Sequence, residues 1–125
     1  MTDIVRRVVY IEDEQEMIDL VRLILTRRKC EVIGASGGRE GLDLVRRELP
    51  DAVLLDLMMP DMDGFEVLES LRSDAELADT RVIIITAKTL TASERRRLSG
   101  QIELLLQKGS FLDDDLLEEI LTTLR

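Results

Sequence analysis

Five residues of this 125-residue chain follow apolar runs and carry groups able to do chemistry: Glu12 and Asp13, Asp56, Thr86 and Lys108. Carboxylates gathered at one point repel each other, by about 4 kcal/mol for a pair ~4 Å apart at an effective dielectric near 20. A hard divalent cation relieves that repulsion, and Mg2+ takes one or two carboxylates with waters while keeping room for a substrate phosphate. With Lys108, its charge balances the three acids. Asp56 alone ends a wholly apolar run, Ala52-Val53-Leu54-Leu55, so it is the candidate nucleophile. A carboxylate that attacks an activated phosphoryl group becomes an aspartyl phosphate, and the protein's task is to position the group and neutralise its oxygens. Lys108, the Thr86 hydroxyl and the backbone N–H of Ala87 suit that task, the small Ala87 admitting a phosphate oxygen close to the backbone.

These residues act together only if the fold brings them to one rim. Short β-branched apolar runs alternate with amphipathic stretches, the pattern of βα units that feed a parallel sheet. Five strands are predicted, Val8 to Ile11, Val32 to Ala35, Ala52 to Leu55, Val82 to Ile85 and Ile102 to Leu106. Their near-continuous apolarity suits strands covered on both faces. Between them Met17, Leu20, Val21, Ile24 and Leu25 share one helical stripe, as do Leu42, Val45 and Leu49. Asp13 with Glu16 reads as a capping pair, Arg27 to Lys29 close the first helix, Gly37 and Gly38 precede the second, and Asp113 to Asp115 open the last. Ligands of an open parallel sheet bind beyond the carboxyl ends of its strands. All five residues are placed there.

Composition removes several alternatives. A chain of this length fits one domain that buries roughly two-thirds of its unfolded surface, so neither a second lobe nor a stapling metal is required. Seventeen basic against 26 acidic residues leave a net charge of −9, which repels a phosphate backbone or an anionic membrane face. There is no His, which excludes Ser-His-Asp and Cys-His hydrolases and His-ligated zinc. The three aromatics, Tyr10, Phe65 and Phe111, make no stacking platform for bases. Cys30 has no internal partner and reads as a small buried apolar residue. No signal-type N-terminus or membrane-spanning run is present, so a reducing, cytoplasmic location is expected.

Glu12-Asp13-Glu14, Asp56 followed by Met58-Met59-Pro60-Asp61-Met62-Asp63-Gly64, Thr86-Ala87 and Lys108 together carry a resemblance. The chain resembles the receiver domain of two-component response regulators over essentially its whole length. That resemblance implies a flavodoxin-like α/β fold, a five-stranded parallel sheet of order 2-1-3-4-5 with helices on both faces. It implies Asp56 as phosphoacceptor, Mg2+ held by Asp13, Asp56 and the Met58 carbonyl with help from Glu12 through water, and Thr86 and Lys108 on the phosphoryl group. Three positions depart from the family pattern. Glu12 stands where Asp is usual, Gly109 replaces the proline that commonly follows the lysine, and Leu105 lies where an aromatic switch residue usually sits.

Taken singly, each feature has a plainer reading: Asp13 as a helix cap, Pro60 with Asp63-Gly64 as a turn, Thr86 as a capping hydroxyl, Arg95-Arg96-Arg97 as a solvated helix face. Their ordered combination favours one receiver domain over residues 1–125, with no output domain. Its expected partners are a sensor histidine kinase or histidine phosphotransfer protein and a downstream protein target, met at the fourth helix, fifth strand and fifth helix. A phosphorylation-dependent homodimer is compatible with this reading; direct nucleic-acid binding and membrane insertion are not expected. Met58 and Lys88 flank the path of attacking water and are read as tuning the phosphate's lifetime. A module cut from a hybrid histidine kinase, an aspartyl phosphatase and a phosphorylation-independent interaction domain remain as alternatives. The phosphatase would want an acid where Met58 stands.

Overall fold

The computed structural model describes residues 6–108 and 114–124. Strands and helices alternate along them: β1 (Arg6–Ile11), α1 (Gln15–Thr26), β2 (Cys30–Ala35), α2 (Gly38–Glu48), β3 (Ala52–Leu55), α3 (Gly64–Ser73), β4 (Val82–Thr86), α4 (Ala92–Leu98), β5 (Leu104–Gln107) and α5 (Asp114–Thr123). The five strands form one parallel sheet in the order β2-β1-β3-β4-β5, the expected 2-1-3-4-5. The readings of Gly109, Phe111 and Asp113 lie outside the described residues.

Strand periodicity explains the layers. Val9 and Ile11, Val53 and Leu55, and Val82 and Ile84 face one side, where Leu42 and Val45 of α2, Phe65, Val67, Leu68 and Leu71 of α3 and Leu98 of α4 cover them. Their strand neighbours Val8 and Tyr10, Ala52 and Leu54, and Ile83 and Ile85 face the other side, under Ile18, Val21 and Leu25 of α1, Ile120 of α5 and Leu124 just past it. Both faces are dry, which is why these strands carry almost no polar residue until they end.

Several local expectations shift. The buried line of α1 runs through Ile18, Val21 and Leu25, at helical spacing, while Met17, Leu20 and Ile24 flank it half-buried. The N-cap of α1 is Glu14, without a side-chain capping bond, so Asp13 does not cap this helix and stays exposed. Gly38 is the first residue of α2 and Gly37 its N-cap. Leu49 leaves the α2 stripe: as C-cap it takes a left-handed backbone (φ 45°), which turns its side chain out to 68% exposure. The fifth strand begins at Leu104, because its ladder starts with Leu104 opposite Ile83 of its single neighbour. Cys30 is buried and unpaired, as expected. Among the described residues no helix is long and apolar enough to cross a membrane.

Candidate functional site

The sheet order itself selects the site. From β1 the chain moves outward to β2 and then crosses back to β3 on the other flank, so the switch point of the topology lies between β1 and β3. The ladder pairs Ile11 with Leu55, and the Asp56 N–H donates to the Ile11 carbonyl at 3.1 Å, while the Glu12 N–H donates to Ala35 at 2.9 Å. Glu12 and Asp56 are therefore held side by side at the rim by backbone bonds alone. Both are buried, at 0% and 2% exposure. Asp13 completes the cluster from the exposed side, and one carboxylate oxygen from each of the three lies within 4.8 Å of the others. Hard oxygen donors at that separation fit a hard divalent cation.

Lys108 reaches this cluster from just past β5. Its Nζ lies 2.6 Å from Glu12 Oε1, 3.2 Å from Glu14 Oε1 and 3.5 Å from Asp56 Oδ2. Partial burial by itself lowers the ammonium's pKa, but the Glu12 hydrogen bond, the charges of Asp56 and Glu12 and the Glu14 contact outweigh it and push the group up to about 12. Lys108 is a fixed cation. Glu12 also moves up, which for a carboxylate favours the neutral form: burial raises it to about 7 against the pull of Lys108, with the Asp56 charge adding to the rise. One ammonium facing four carboxylates leaves the rim with excess negative charge, and among the described residues Asp13 has no ion-pair partner.

Around this centre the loops set access. The Met58 N–H donates to Asp56 Oδ1 at 3.3 Å, which folds the loop after β3 back over the acid and leaves the Met58 side chain 57% exposed. Gly64 makes that fold-back feasible: a Cβ there would sit 2.4 Å from the Asp56 carbonyl oxygen and 2.7 Å from Leu57 Cα. Asp63 then caps α3 by accepting from the Glu66 N–H at 2.9 Å. Thr86 is fully buried at the end of β4, its hydroxyl accepting from the Lys88 N–H at 3.1 Å, and Ala87 beside it is exposed. A cleft of about 510 Å³ adjoins the rim through Met58 and Lys88 and runs over Phe65 to Arg97; Asp56 itself does not line it. The groove beside the charged rim is mixed in character, with Asp63, Lys88, Glu94 and Arg97 among its apolar residues.

The sequence reading gave no role to five contributing residues. Glu14 shares Lys108. Tyr10, at 0% exposure, donates its hydroxyl to Glu12 Oε1 at 3.4 Å, a contact that strand spacing of two residues could have suggested. Thr91 and Glu94 form a reciprocal capping box at the start of α4, legible as Thr-x-x-Glu. Asp61 is held by the backbone N–H groups of Met62, Gly38, its own residue and Arg39; burial alone would raise its carboxyl, but these bonds bring it below the usual range. It thus ties the loop after Asp56 to the start of α2, whose own N-cap, Gly37, has no side chain to offer. Only the fold shows that link.

Comparison with known proteins agrees with this geometry. The family model of the response regulator receiver domain matches residues 8–121. The polar-differentiation response regulator DivK of Brucella ovis is 33% identical over 103 residues, 82% of this chain and 84% of that protein. The N-terminal domain of a response regulator receiver protein from Methanoculleus marisnigri superposes with a TM-score of 0.79 at 33% identity, covering 92% of this chain and 93% of that one. The chemotaxis protein CheY4 of Vibrio cholerae shares the fold at a TM-score of 0.85 and 22% identity, over 98% and 100% of the two chains. With the sheet order, the acidic switch point and a match over nearly its whole length, the chain belongs to the response regulator receiver domain family, signalling domains of two-component systems.

Proposed function

We propose that this receiver takes a phosphoryl group from the phosphohistidine of a sensor histidine kinase or histidine phosphotransfer protein onto Asp56, in a Mg2+-dependent reaction. The observation that carries this reading is Asp56 itself: a buried carboxylate at the end of an apolar strand, beside two more acids and one lysine. Glu12, Asp13, Asp56 and the Met58 carbonyl would hold the ion. When bound, Mg2+ supplies positive charge that screens the acids and the incoming phosphate.

The chain's own residues do the rest. An Asp56 oxygen attacks phosphorus, the P–N bond breaks, and the histidine nitrogen leaves with the electron pair and takes up a proton. Lys108 already stands 3.5 Å from Asp56 Oδ2 and is charged throughout the physiological range, so it is placed to neutralise a phosphoryl oxygen. The Thr86 hydroxyl and the Ala87 N–H, at the end of the neighbouring strand, are assigned to the remaining oxygens. Water attack on phosphorus would return the aspartate and release phosphate, past Met58 and Lys88. The domain thus promotes its own phosphorylation and dephosphorylation and is not a turnover enzyme.

The output is conformational. Beside β5, a groove of about 420 Å³ lined by Leu90, Leu98, Ile102 and Leu105 is the surface we assign to a downstream protein target or to a second phosphorylated copy. Leu105 offers that partner an apolar contact and no hydrogen bond. A net charge of −9 favours a protein partner over nucleic acid, and the buried free Cys30 accords with a reducing cytoplasmic setting. We treat residues 1–125 as a single receiver unit. Incubation with acetyl phosphate and Mg2+, followed by intact-mass measurement, is expected to add roughly 80 Da, one phosphoryl group, to the parent and nothing to Asp56→Asn. An unlabelled parent, or a labelled variant, would overturn the assignment.

A further inference from the structure

Tyr10 is a bulky residue whose hydroxyl lies at the edge of the charged rim. The ring is fully buried among Val8, Ile18, Leu54 and Ile85, and the only acceptor of its hydroxyl among the described residues is Glu12 Oε1, at 3.4 Å. The same oxygen accepts from Lys108 at 2.6 Å, whereas Oε2 has one long bond, 3.4 Å, from the Glu14 N–H. Lys108 holds Oε1 closely and the Tyr10 hydroxyl adds a second donor there, so Oε2, with a single long bond, is the less held oxygen and the one available to face a ligand. Glutamate has one more rotatable bond than aspartate, so a carboxylate in this place loses more freedom when it is ordered.

We propose that the Tyr10 hydroxyl is a positioning group for the acidic rim, holding Glu12 by Oε1 so that its second oxygen is presented toward Asp13 and Asp56. This rests on the metal reading given above and adds a residue to it. A phenol O–H is protonated at neutral pH and can donate there without competing for the metal. Tyr10 is also the sole tyrosine of a chain without tryptophan, so its near-ultraviolet absorption reports this one contact without interference.

The test uses Mg2+ alone as probe, with calorimetry and tyrosine difference absorption on the parent and calorimetry on Tyr10→Phe, Glu12→Met and the double variant. In the parent, the tyrosine band is expected to shift on Mg2+ addition and saturate with the calorimetric isotherm. Tyr10→Phe keeps the ring and is expected to bind Mg2+ about fivefold more weakly, the equivalent of one net hydrogen bond of ~1 kcal/mol. In the Glu12→Met background, which has no oxygen to accept the hydroxyl, the same change is expected to have no further effect, because the hydroxyl acts through that carboxylate. Equal or tighter binding by Tyr10→Phe, the same loss in both backgrounds, or a tyrosine band unmoved at saturation would each overturn the inference while leaving the metal site standing. A parent that takes up no Mg2+ overturns the metal reading, and the inference with it.

Discussion

The two flanks of the sheet differ in how tightly they are held. At β1 and β3 every residue from Val8 to Ile11 and from Ala52 to Leu55 is at 0% exposure, and both strands have neighbours on each side. At the opposite edge β5 pairs with β4 alone, two of its four residues are half-buried, and the adjoining α4 has only seven residues. Acceptance of a phosphoryl group needs side chains that do not move, and relaying its presence needs a segment that can. Under the proposed function the two demands fall on different places, the acids on the central strands and the groove lined by Leu105 at the edge.

Truncation on either flank should sharpen this contrast most. Leu54→Ala, in the centre, is expected to lower stability by about 2–5 kcal/mol, whereas Leu105→Ala, half-buried at the edge, should lower it by about 1 kcal/mol. Denaturant midpoints measured side by side would check this, and equal losses would break the comparison. Next in size is Gly64→Ala. The added carbon would press on the Asp56 carbonyl and the Leu57 backbone, both unable to retreat, at about 1–3 kcal/mol. Slower labelling of the folded variant is expected as well, since the displaced atom belongs to the residue proposed as phosphoacceptor.

Charge at the rim should act in the opposite direction to apolar burial. Without Mg2+, the acids around Asp56 repel one another, so Asp56→Asn is expected to raise the melting temperature by about 4 °C, ~1 kcal/mol. Saturating Mg2+ should raise the parent's melting temperature more than the variant's, and an unchanged variant would show that Lys108 already offsets the repulsion. A further effect concerns pH. Glu12 is raised to about 7 in the folded protein from an ordinary 4.5, so between those values the folded state binds more protons than the unfolded one. Metal-free stability should therefore fall as pH rises through this window, and Glu12→Gln should flatten the slope. Lys108 contributes fully below its ordinary 10.5 and loses its contribution only toward 12. Asp61 and Glu94, both lowered, stabilise above their ordinary values of 3.8 and 4.5 and lose that effect on acidification, outside the window. Thermal melts at several pH values in a chelating buffer measure this directly.

How much of this was legible in the sequence depends on the range of the forces involved. Ala52-Val53-Leu54-Leu55-Asp56 could be read at once, because apolarity on both faces of a strand and an acid at its end are local patterns. Thr91-Ala92-Ser93-Glu94 was equally local and was overlooked. Leu49 deceived because the helical stripe predicts where a side chain would point if the helix continued, and here the backbone turns left-handed one residue too soon. Asp13 resembled a cap because it precedes the helix, yet Glu14 takes that position. The contacts of Lys108 with Glu12 and Glu14 and of Asp61 with the start of α2 depend on which strands become neighbours. No spacing along the chain encodes them without the sheet order.

The central claim is that Asp56 becomes the acyl phosphate, and one chemical measurement addresses it directly. The protein is treated with acetyl phosphate and Mg2+, reduced with borohydride, which converts an aspartyl phosphate to homoserine, and its peptides are sequenced by mass spectrometry. Homoserine at position 56, dependent on both reagents and absent elsewhere, is the predicted result. Homoserine at Asp13 or another acid, or an unmodified Asp56 in protein that has demonstrably bound Mg2+, would contradict the account.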